Sequence, residues 1–241
     1  MSARVLVVQN AERTSLGRLE KWWAEDGLDL DVVRAYAGEP IPDLNPSSAA
    51  AGLVLLGGGL MPDADEQAPW LPRERAVTAA AIEAGLSILG ICLGGQLLAH
   101  VAGGKIRAKH GQAESGSTTL TRRAAAAGDL LFDPLPETFS AIEHRVDMIT
   151  ELPPGAAWLA SSEACPIQGF RVGRCAWGVQ FHPEVDADGV ASWSQDGLRR
   201  GGFDPVEVVR RARADEPSSE PVWRAFATRF AEVVQRSQRR S

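Results

Sequence analysis

Residues 86–100 read LSILGICLGGQLLAH, and this stretch decides the fold. Its first half, up to Ile91, is a short apolar run of the kind that forms a strand buried on both faces of a parallel sheet. Its second half, which begins at Cys92, has the composition of a helix. Gly90 and Gly94 are the small neighbours that a sharp strand-to-helix turn requires. The stretch therefore predicts a strand–turn–helix unit with Cys92 at the turn.

The sequence before this unit alternates apolar runs with helical patterns. Strands are predicted at residues 4–9, 30–34 and 52–56, and helices at residues 16–24 and 72–84. Such alternation implies right-handed βαβ crossovers and a parallel sheet with helices on both faces. The first half of the chain therefore predicts an α/β fold. Cys92 is expected just past the C-terminal end of a central strand, where open α/β sheets place their sites.

The second half of the sequence is richer in strands and ends in helices. Four segments have the pattern of β structure: residues 115–123, 143–150, 156–160 and 167–181. Helical spacing returns at residues 205–214 and 221–235, which are separated by Pro217-Ser218-Ser219. These patterns predict extra antiparallel strands and a helical C-terminal tail. We expect one domain over residues 1–195 and a helical extension over residues 196–241 that packs on the same domain.

Composition and charge narrow the class of protein. The 241 residues are 44% hydrophobic and 23% charged, which is typical of a globular chain and argues against disorder or a membrane protein. A formal net charge of −6 disfavours phosphate backbones, so no nucleic-acid partner is expected. The three cysteines form no CxxC pair, which argues against a disulfide framework or a metal site. No signal-peptide pattern precedes the first strand, so we expect a cytoplasmic protein.

Cys92 has the context of an activated nucleophile. A helix N-terminus favours a thiolate, because its unpaired amides and its dipole attract negative charge. The amide of the following residue can also point at an oxyanion that develops during attack on a carbonyl. The alternative is a buried structural cysteine at the end of a strand.

Residues 178–184, GVQFHPE, supply the second motif. In an extended chain, residues i and i+2 point to the same side, so His182 and Glu184 can face one site. An imidazole held by a carboxylate is the arrangement of base and orienting group that a cysteine nucleophile needs. Taken alone, this His-Pro-Glu tripeptide is better explained as a surface turn.

Taken together, the two motifs resemble those of class I glutamine amidotransferases, the triad family. The resemblance rests on GICLGGQ at residues 90–96, on GVQFHPE, and on three glycines after the apolar strand at residues 52–56. The helical tail resembles that of stand-alone, GMP-synthase-like members. The family fold is α/β and flavodoxin-like, with a mainly parallel central sheet. The resemblance implies that Cys92 is the nucleophile, His182 the base and Glu184 the group that orients it.

The resemblance also implies a substrate site. The backbone amides of Gly58 and Leu93 would form the oxyanion hole, and Gln96 would help to hold glutamine. Family members release ammonia through a γ-glutamyl thioester and need no cofactor for this step. Two further candidate substrate-site residues, Gly59 and His144, match the family pattern less well. Gly59 stands where the family often has proline, which predicts a flexible loop, and His144 lies in a strand that resembles a family segment.

The sequence leaves the acceptor of the ammonia open. It has no GxxxxGK[ST] loop with which to bind a nucleotide and activate an acceptor. A separate synthetase or acceptor subunit would have to receive the ammonia, or the acceptor would enter the same pocket. One alternative is a γ-glutamyl hydrolase or peptidase, with the same thioester and water as the final acceptor. Another is an inactive binding or regulatory protein. The oligomeric state is not predicted.

The remaining cysteines and two of the histidines are expected to be structural. Cys165 and Cys175 lack the context of a helix start, so inert packing is predicted for both. His100 is flanked by apolar residues on the predicted helix after Cys92, and His110 lies in a predicted loop.

Overall fold

The computed structural model describes residues 2–44 and 50–239, so part of the polar stretch predicted at residues 38–48 lies outside the described residues. The strands are β1 (Ala3–Gln9), β2 (Leu28–Arg34), β3 (Ala50–Leu55), β4 (Ser87–Ile91), β5 (Lys105–Arg107), β6 (Glu114–Arg122), β7 (Thr138–Arg145), β8 (Met148–Glu151), β9 (Ala157–Ser161), β10 (Gly169–Val172) and β11 (Ala176–Val179). The helices are α1 (Arg18–Glu25), α2 (Leu71–Glu83), α3 (Leu93–Val101), α4 (Ala187–Ala191), α5 (Gln195–Arg200) and α6 (Pro205–Gln238).

A nine-stranded sheet forms the centre of the molecule, in the order β2-β1-β3-β4-β11-β10-β9-β6-β7. The strands from β2 to β11 pair in parallel, and this half has the strand order of flavodoxin-like folds. The strands from β11 to β7 pair antiparallel. A second sheet consists of β5 and β8. The predicted α/β fold with added antiparallel strands is confirmed.

Helices cover both faces of the sheet, and each face has its own hydrophobic core. On one face, α1 and α6 bury large aromatic side chains such as Trp23, Trp223 and Phe226 against β1 and the antiparallel strands. On the other face, α2 and α3 pack aliphatic side chains such as Leu71 and Leu97 against β3 and β4. Both faces of the parallel strands are therefore buried, which explains their nearly continuous apolar sequence.

The strand predicted at residues 143–150 is wrong as a single element. β7 ends at Arg145 and β8 begins at Met148, and the two belong to different sheets. At the break, the Asp147 carboxylate accepts a hydrogen bond of 2.9 Å from the Lys109 amide, and Val146 is half exposed. No glycine or proline marks this turn, so local patterns do not reveal it.

The two helices predicted at residues 205–214 and 221–235 are one continuous helix, α6. α6 continues through Pro217 and Pro221, although proline removes an amide donor and usually kinks or ends a helix. Trp223, Phe226 and Phe230 lie beyond the prolines and are fully buried, so their packing stabilises the continuous helix. The contacts of α6 join it to the sheet and to α1. A boundary at residue 195 stays a prediction.

Within residues 2–44 and 50–239, no helix combines the length and the apolar character needed to cross a membrane.

Candidate active site

Cys92 lies at a sharp turn between β4 and α3. Its backbone has φ 53° and ψ −111°, in the left-handed half of φ space that side chains rarely adopt. Its amide donates to the Val179 carbonyl at 2.8 Å, and its carbonyl accepts from the Gln96 amide at 2.9 Å. Such backbone strain costs about 1–3 kcal/mol and persists only where the surroundings enforce it. The strained turn places Cys92 at the N-terminus of α3.

Three glycines make this turn possible. A Cβ on Gly90 would lie 2.4 Å from the Gly94 carbonyl oxygen, and a Cβ on Gly94 would lie 2.1 Å from the Leu55 carbonyl oxygen. A Cβ on Gly95 would lie 2.5 Å from the Val179 carbonyl oxygen. These neighbours are backbone atoms, which cannot rotate away. The glycines around Cys92 therefore allow α3 to approach β3 and β11 closely.

His182 and Glu184 follow β11, the strand that pairs in parallel with β4. Because both strands end at the same edge of the sheet, His182 comes to the elbow that carries Cys92. Its Nδ1 lies 2.7 Å from Glu184 Oε1, and both residues are buried. The His182 amide also donates to the Ile142 carbonyl at 2.7 Å, which ties this segment to β7. The ring is thus fixed by a carboxylate and by backbone.

Cys92 and His182 meet at Gly57. A Cβ on Gly57 would lie 3.5 Å from both Cys92 Cβ and His182 Cε1, so the two side chains border the same small space. Burial lowers the pKa of His182, but the negative charges of Glu184 and Cys92 outweigh burial and raise it well above the usual range. His182 Nε2 is buried and forms no hydrogen bond within the described residues. The raised pKa favours a protonated His182 beside Cys92, and this ring can pass its proton to a bound molecule.

Arg18, which no sequence pattern singles out, supports the turn after His182. Its amide donates to the Glu184 carbonyl at 3.1 Å, and its Nε donates to the Pro183 carbonyl at 2.8 Å. Its Nη1 donates at 2.7 Å to Glu216 on α6, whose second oxygen accepts from the Ala187 amide at 2.9 Å. Local patterns cannot mark these residues, since the contacts join three distant segments.

The triple-glycine loop (residues 57–59) follows β3 beside the elbow. A Cβ on Gly58 would lie 2.9 Å from Leu93 Cδ2 and 3.2 Å from Asn10 Cβ, which places Gly58 between Leu93 and Asn10. Gly59 is exposed, and no heavy atom lies within 4 Å of a Cβ built on it. None of the three glycines has a left-handed φ. The two predicted oxyanion residues are therefore neighbours, and Gly59 borders them on the solvent side.

Gln96 and His144 have different surroundings. Gln96 is buried one turn into α3, where its Nε2 lies 3.5 Å from Gln180 Oε1. His144 is solvent-accessible, lies 3.0 Å through Nδ1 from Ser115 Oγ and packs against Trp193 with ring centroids 4.4 Å apart. Desolvation by its neighbours and the nearby His182 lower the pKa of His144. Roles for Gln96 and His144 in substrate binding stay predictions.

A buried acidic residue lies behind His182. Glu143 is fully buried on β7, and neither carboxylate oxygen has a hydrogen-bond partner within the described residues. Burial raises the pKa of Glu143 to about 8, and the charge of Glu114 adds to this effect. Glu114 itself pairs with the buried Arg145 through Nε at 2.8 Å. The sequence does not reveal this cluster, because alternation along β7 does not distinguish a buried carboxyl from an exposed one.

The other two cysteines have surroundings unlike those of Cys92, and Cys165 borders the cluster of Glu143, Glu114 and Arg145. Cys165 is buried, its thiol donates to the Ile167 carbonyl at 3.4 Å, and burial raises its pKa to about 12. Cys175 precedes the opposite end of β11 and donates to the Gly85 carbonyl at 3.2 Å. His100 and His110 are exposed. Among the described residues, no group of three or more His, Cys, Asp or Glu side chains could hold a metal ion.

The amino-acid sequence is similar to a known protein family and to proteins of known function. The family model described as Glutamine amidotransferase class-I matches residues 13–189. A glutamine-hydrolyzing GMP synthase subunit of Pyrococcus abyssi is 40% identical over 104 residues, which are 43% of this chain and 53% of that protein. The chain thus aligns with about half of that relative's length.

Two further similarities cover more of the chain. Gamma-glutamyl peptidase 3 of Arabidopsis thaliana is 30% identical over 172 residues, which are 69% of this chain and 67% of that protein. The crystal structure of a glutamine amidotransferase from Thermotoga maritima superposes with a TM-score of 0.86 at 27% identity and covers 96% of this chain and 99% of that one. The residues matched by the family model include Cys92, His182 and Glu184. The chain therefore belongs to the class I glutamine amidotransferase family.

Proposed function

We propose that the chain is a glutamine-hydrolysing amidotransferase that releases ammonia from L-glutamine through a γ-glutamyl thioester on Cys92. One observation carries the proposal: the strained elbow presents Cys92 to an imidazole whose other nitrogen lies 2.7 Å from the Glu184 carboxylate. Membership of the class I family supports the same chemistry.

In the first half-reaction, the Cys92 thiolate attacks the amide carbon of glutamine and a C–S bond forms. The amides of Gly58 and Leu93 are the proposed donors to the oxyanion, since donors held in place before the reaction stabilise the charge that develops there. The His182 imidazolium then gives its proton to the amide nitrogen, the C–N bond breaks, and ammonia leaves. Glu184 holds the ring in the orientation for this transfer.

In the second half-reaction, water replaces ammonia. Neutral His182 takes a proton from the water, whose oxygen attacks the thioester carbon. The C–S bond breaks, the Cys92 thiolate leaves, and glutamate is released. The two steps replace the cleavage of one unreactive amide by two easier reactions.

A separate synthetase subunit is the proposed receiver of the ammonia. The Pyrococcus relative is named as one subunit of a GMP synthase, which supports a division of the reaction between polypeptides. The sequence contains no GxxxxGK[ST] loop for nucleotide binding. All three cysteines are free thiols, which supports a reducing compartment such as the cytoplasm.

The second candidate function is hydrolysis of another γ-glutamyl compound. The similarity to a γ-glutamyl peptidase favours it, and that alignment covers more of this chain than the alignment with the Pyrococcus GMP synthase protein. The thioester on Cys92 would be the same, with a larger amine as the leaving group.

Release of ammonia and glutamate from L-glutamine should be measured beside release of amines from a panel of γ-glutamyl dipeptides. The proposal predicts that kcat/KM is highest for glutamine and that Cys92→Ala abolishes turnover, whereas Cys165→Ala retains it. Preference for a γ-glutamyl peptide would favour the second candidate. Turnover that survives Cys92→Ala would contradict both.

A further inference from the structure

Asn10, the residue that follows β1, is bonded on every side beneath the triple-glycine loop. Its Nδ2 donates to the Leu56 carbonyl at 3.1 Å and to Glu74 Oε1 at 3.0 Å. Its Oδ1 accepts from Trp70 Nε1 at 2.8 Å. The donors and acceptor of this amide are all used, and the residue is buried. The side chain therefore has one orientation, set by three residues on two segments of the chain: Leu56 after β3, and Trp70 and Glu74 at the start of α2.

Asn10 also supports the loop by direct packing. Asn10 binds the Leu56 carbonyl, which is the last carbonyl before Gly57. The Cβ of Asn10 also packs behind Gly58, because a Cβ built on Gly58 would lie 3.2 Å from it. The Leu56 amide is held separately, by the Val8 carbonyl at 2.9 Å. Asn10 thus fixes both the carbonyl that precedes the loop and the surface on which Gly58 packs. The loop needs this support, because three glycines have little conformational preference of their own.

Glu74 holds Asn10 in turn. It lies on α2 with an exposed fraction of 0%, and its Oε2 is buried without a hydrogen-bond partner in the described residues. Burial raises the pKa of Glu74 to about 7, against the effects of the Asn10 hydrogen bond and the charge of Arg75. The adjacent Arg75 pairs with Asp65 at 2.7 Å, and so does not bind Glu74. A buried carboxyl is costly unless it is bonded, and the hydrogen bond from Asn10 is the bond that the Glu74 carboxylate has.

We propose that Asn10 and Glu74 are positioning residues, which hold the triple-glycine loop so that the Gly58 amide points at the oxyanion formed on Cys92. This inference rests on the proposed function, since it assigns the geometry that thioester formation requires. Glu74 orients Asn10, and Asn10 fixes the carbonyl and the packing surface on either side of Gly57. Neither residue touches the substrate.

The test uses variants that change only the hydrogen bonds between Asn10, Glu74 and the loop. Asn10→Ala removes all three hydrogen bonds, and Glu74→Met removes the acceptor for Asn10 while filling a similar volume. Glu74→Gln keeps an oxygen that can accept from Asn10. Val77→Ala is the matched control, because Val77 is buried one turn further along α2 and belongs to the hydrophobic core.

We expect Asn10→Ala and Glu74→Met to lower kcat about tenfold each, with KM changed less than about twofold, since the lost interaction acts in the transition state. The double variant should lose no more than the worse single variant, because both act through one contact. Glu74→Gln should retain kcat. Val77→Ala should lower the unfolding free energy and leave kcat unchanged.

A second readout separates misplacement of the loop from general damage. Iodoacetamide alkylates the thiolate of Cys92, so the alkylation rate depends on His182 and not on the loop. In Asn10→Ala this rate should equal that of the wild-type protein. Full kcat in Asn10→Ala, equal losses in Glu74→Gln and Glu74→Met, or a parallel fall in alkylation would each overturn the inference.

Hydrogen exchange tests the loop without any substrate. Asn10→Ala and Glu74→Met should speed amide exchange over residues 57–60, and Val77→Ala should not. If the protein proves to hydrolyse no γ-glutamyl compound, the proposed function fails, yet this exchange pattern still supports the assignment of Asn10 and Glu74 as supports of the loop. Unchanged exchange in both variants would reject it.

Discussion

Arg18 and Glu216 lie 198 residues apart in the sequence, and their side chains meet at 2.7 Å beside the turn that carries His182 and Glu184. The Arg18 side chain is 7% exposed and that of Glu216 is 23% exposed, so the pair is largely screened from water. Through it, the C-terminal helix α6 anchors the backbone of Pro183, which Arg18 also binds. The family match ends at residue 189, and this anchor comes from beyond it.

Replacement of Glu216 by alanine should weaken both the fold and the reaction. It leaves the Arg18 charge buried without its partner, and we expect the unfolding free energy to fall by about 3 kcal/mol. Turnover should fall as well, because Arg18 no longer holds Pro183 in place. Urea unfolding and steady-state kinetics measure the two effects.

The control for this change is Glu207→Ala on the same helix, where an exposed pair with Arg210 is lost and little effect is expected. The double variant Arg18→Met/Glu216→Ala should be less destabilised than the sum of the single variants, since no buried charge remains. Additive losses would show that the two side chains do not act as a pair.

The elbow and the His182–Glu184 pair could be predicted from sequence because each is local. A strand, two glycines and a helix start surround Cys92 within a few residues. The extended chain predicted for His182 to Glu184 is a turn instead, in which the Val185 amide donates to the His182 carbonyl at 3.3 Å. The turn still brings the two side chains together, with Nδ1 of His182 2.7 Å from Glu184 Oε1. Asn10, Glu74, Arg18 and Glu216 could not be predicted in this way. Their contacts join residues that are 64 or 198 positions apart, and only the folded chain brings them together.

Tertiary contacts also explain why the predictions for the C-terminal helices and for residues 143–150 are wrong. Proline predicts a helix break from local geometry, but burial of Trp223 and its neighbours outweighs that cost in α6. The break between β7 and β8 arises because their partners, β6 and β5, belong to different sheets. Partner strands are a property of the tertiary fold, and local patterns do not report them.

Gly94 should tolerate no side chain. Gly94→Ala would bring a methyl group to 2.1 Å from the Leu55 carbonyl oxygen, so α3 would have to move away from β3. We expect a loss of about 3 kcal/mol or more in the unfolding free energy, at the upper end of the cost of overpacking. Thermal unfolding measures it. Gly59→Ala is the control, since open space surrounds that position. Equal stability of the two variants would contradict this account of the elbow.

Glu184 should set the protonation of His182. Burial alone lowers the pKa of His182, so the raised value depends on the negative charges of Glu184 and Cys92. Glu184→Gln should therefore lower the pH at which the ring loses its proton, and should lower kcat/KM by about 100-fold or more. The four histidines make the ring signals assignable by NMR. An unchanged titration of His182 would mean that Glu184 does not stabilise its charge.

Glu74 should make stability depend on pH in a defined window. Its pKa is about 7 in the folded chain because of burial, and near 4.5 when it is exposed. Between these two values the unfolded chain gives up a proton that the folded chain keeps. The unfolding free energy therefore falls as pH rises through the window, by about 3 kcal/mol in total, and the penalty stays constant above it.

Glu74→Gln removes this penalty, so the variant should be the more stable protein at about pH 8 and should match the unmodified chain at about pH 4. Urea unfolding at several pH values measures the difference. Glu83→Gln, at the exposed end of the same helix, should show no such trend. A stability difference that is independent of pH would mean that folding does not shift the pKa of Glu74.

The most direct test of the catalytic assignment is to identify the covalent intermediate. The protein is mixed with L-glutamine or a γ-glutamyl dipeptide, quenched in acid within the first turnover, digested and measured by mass spectrometry. We expect the peptide containing Cys92 to gain the mass of one γ-glutamyl group, and the peptides containing Cys165 and Cys175 to gain none. Turnover with no adduct on Cys92, or with the adduct on another residue, would contradict it.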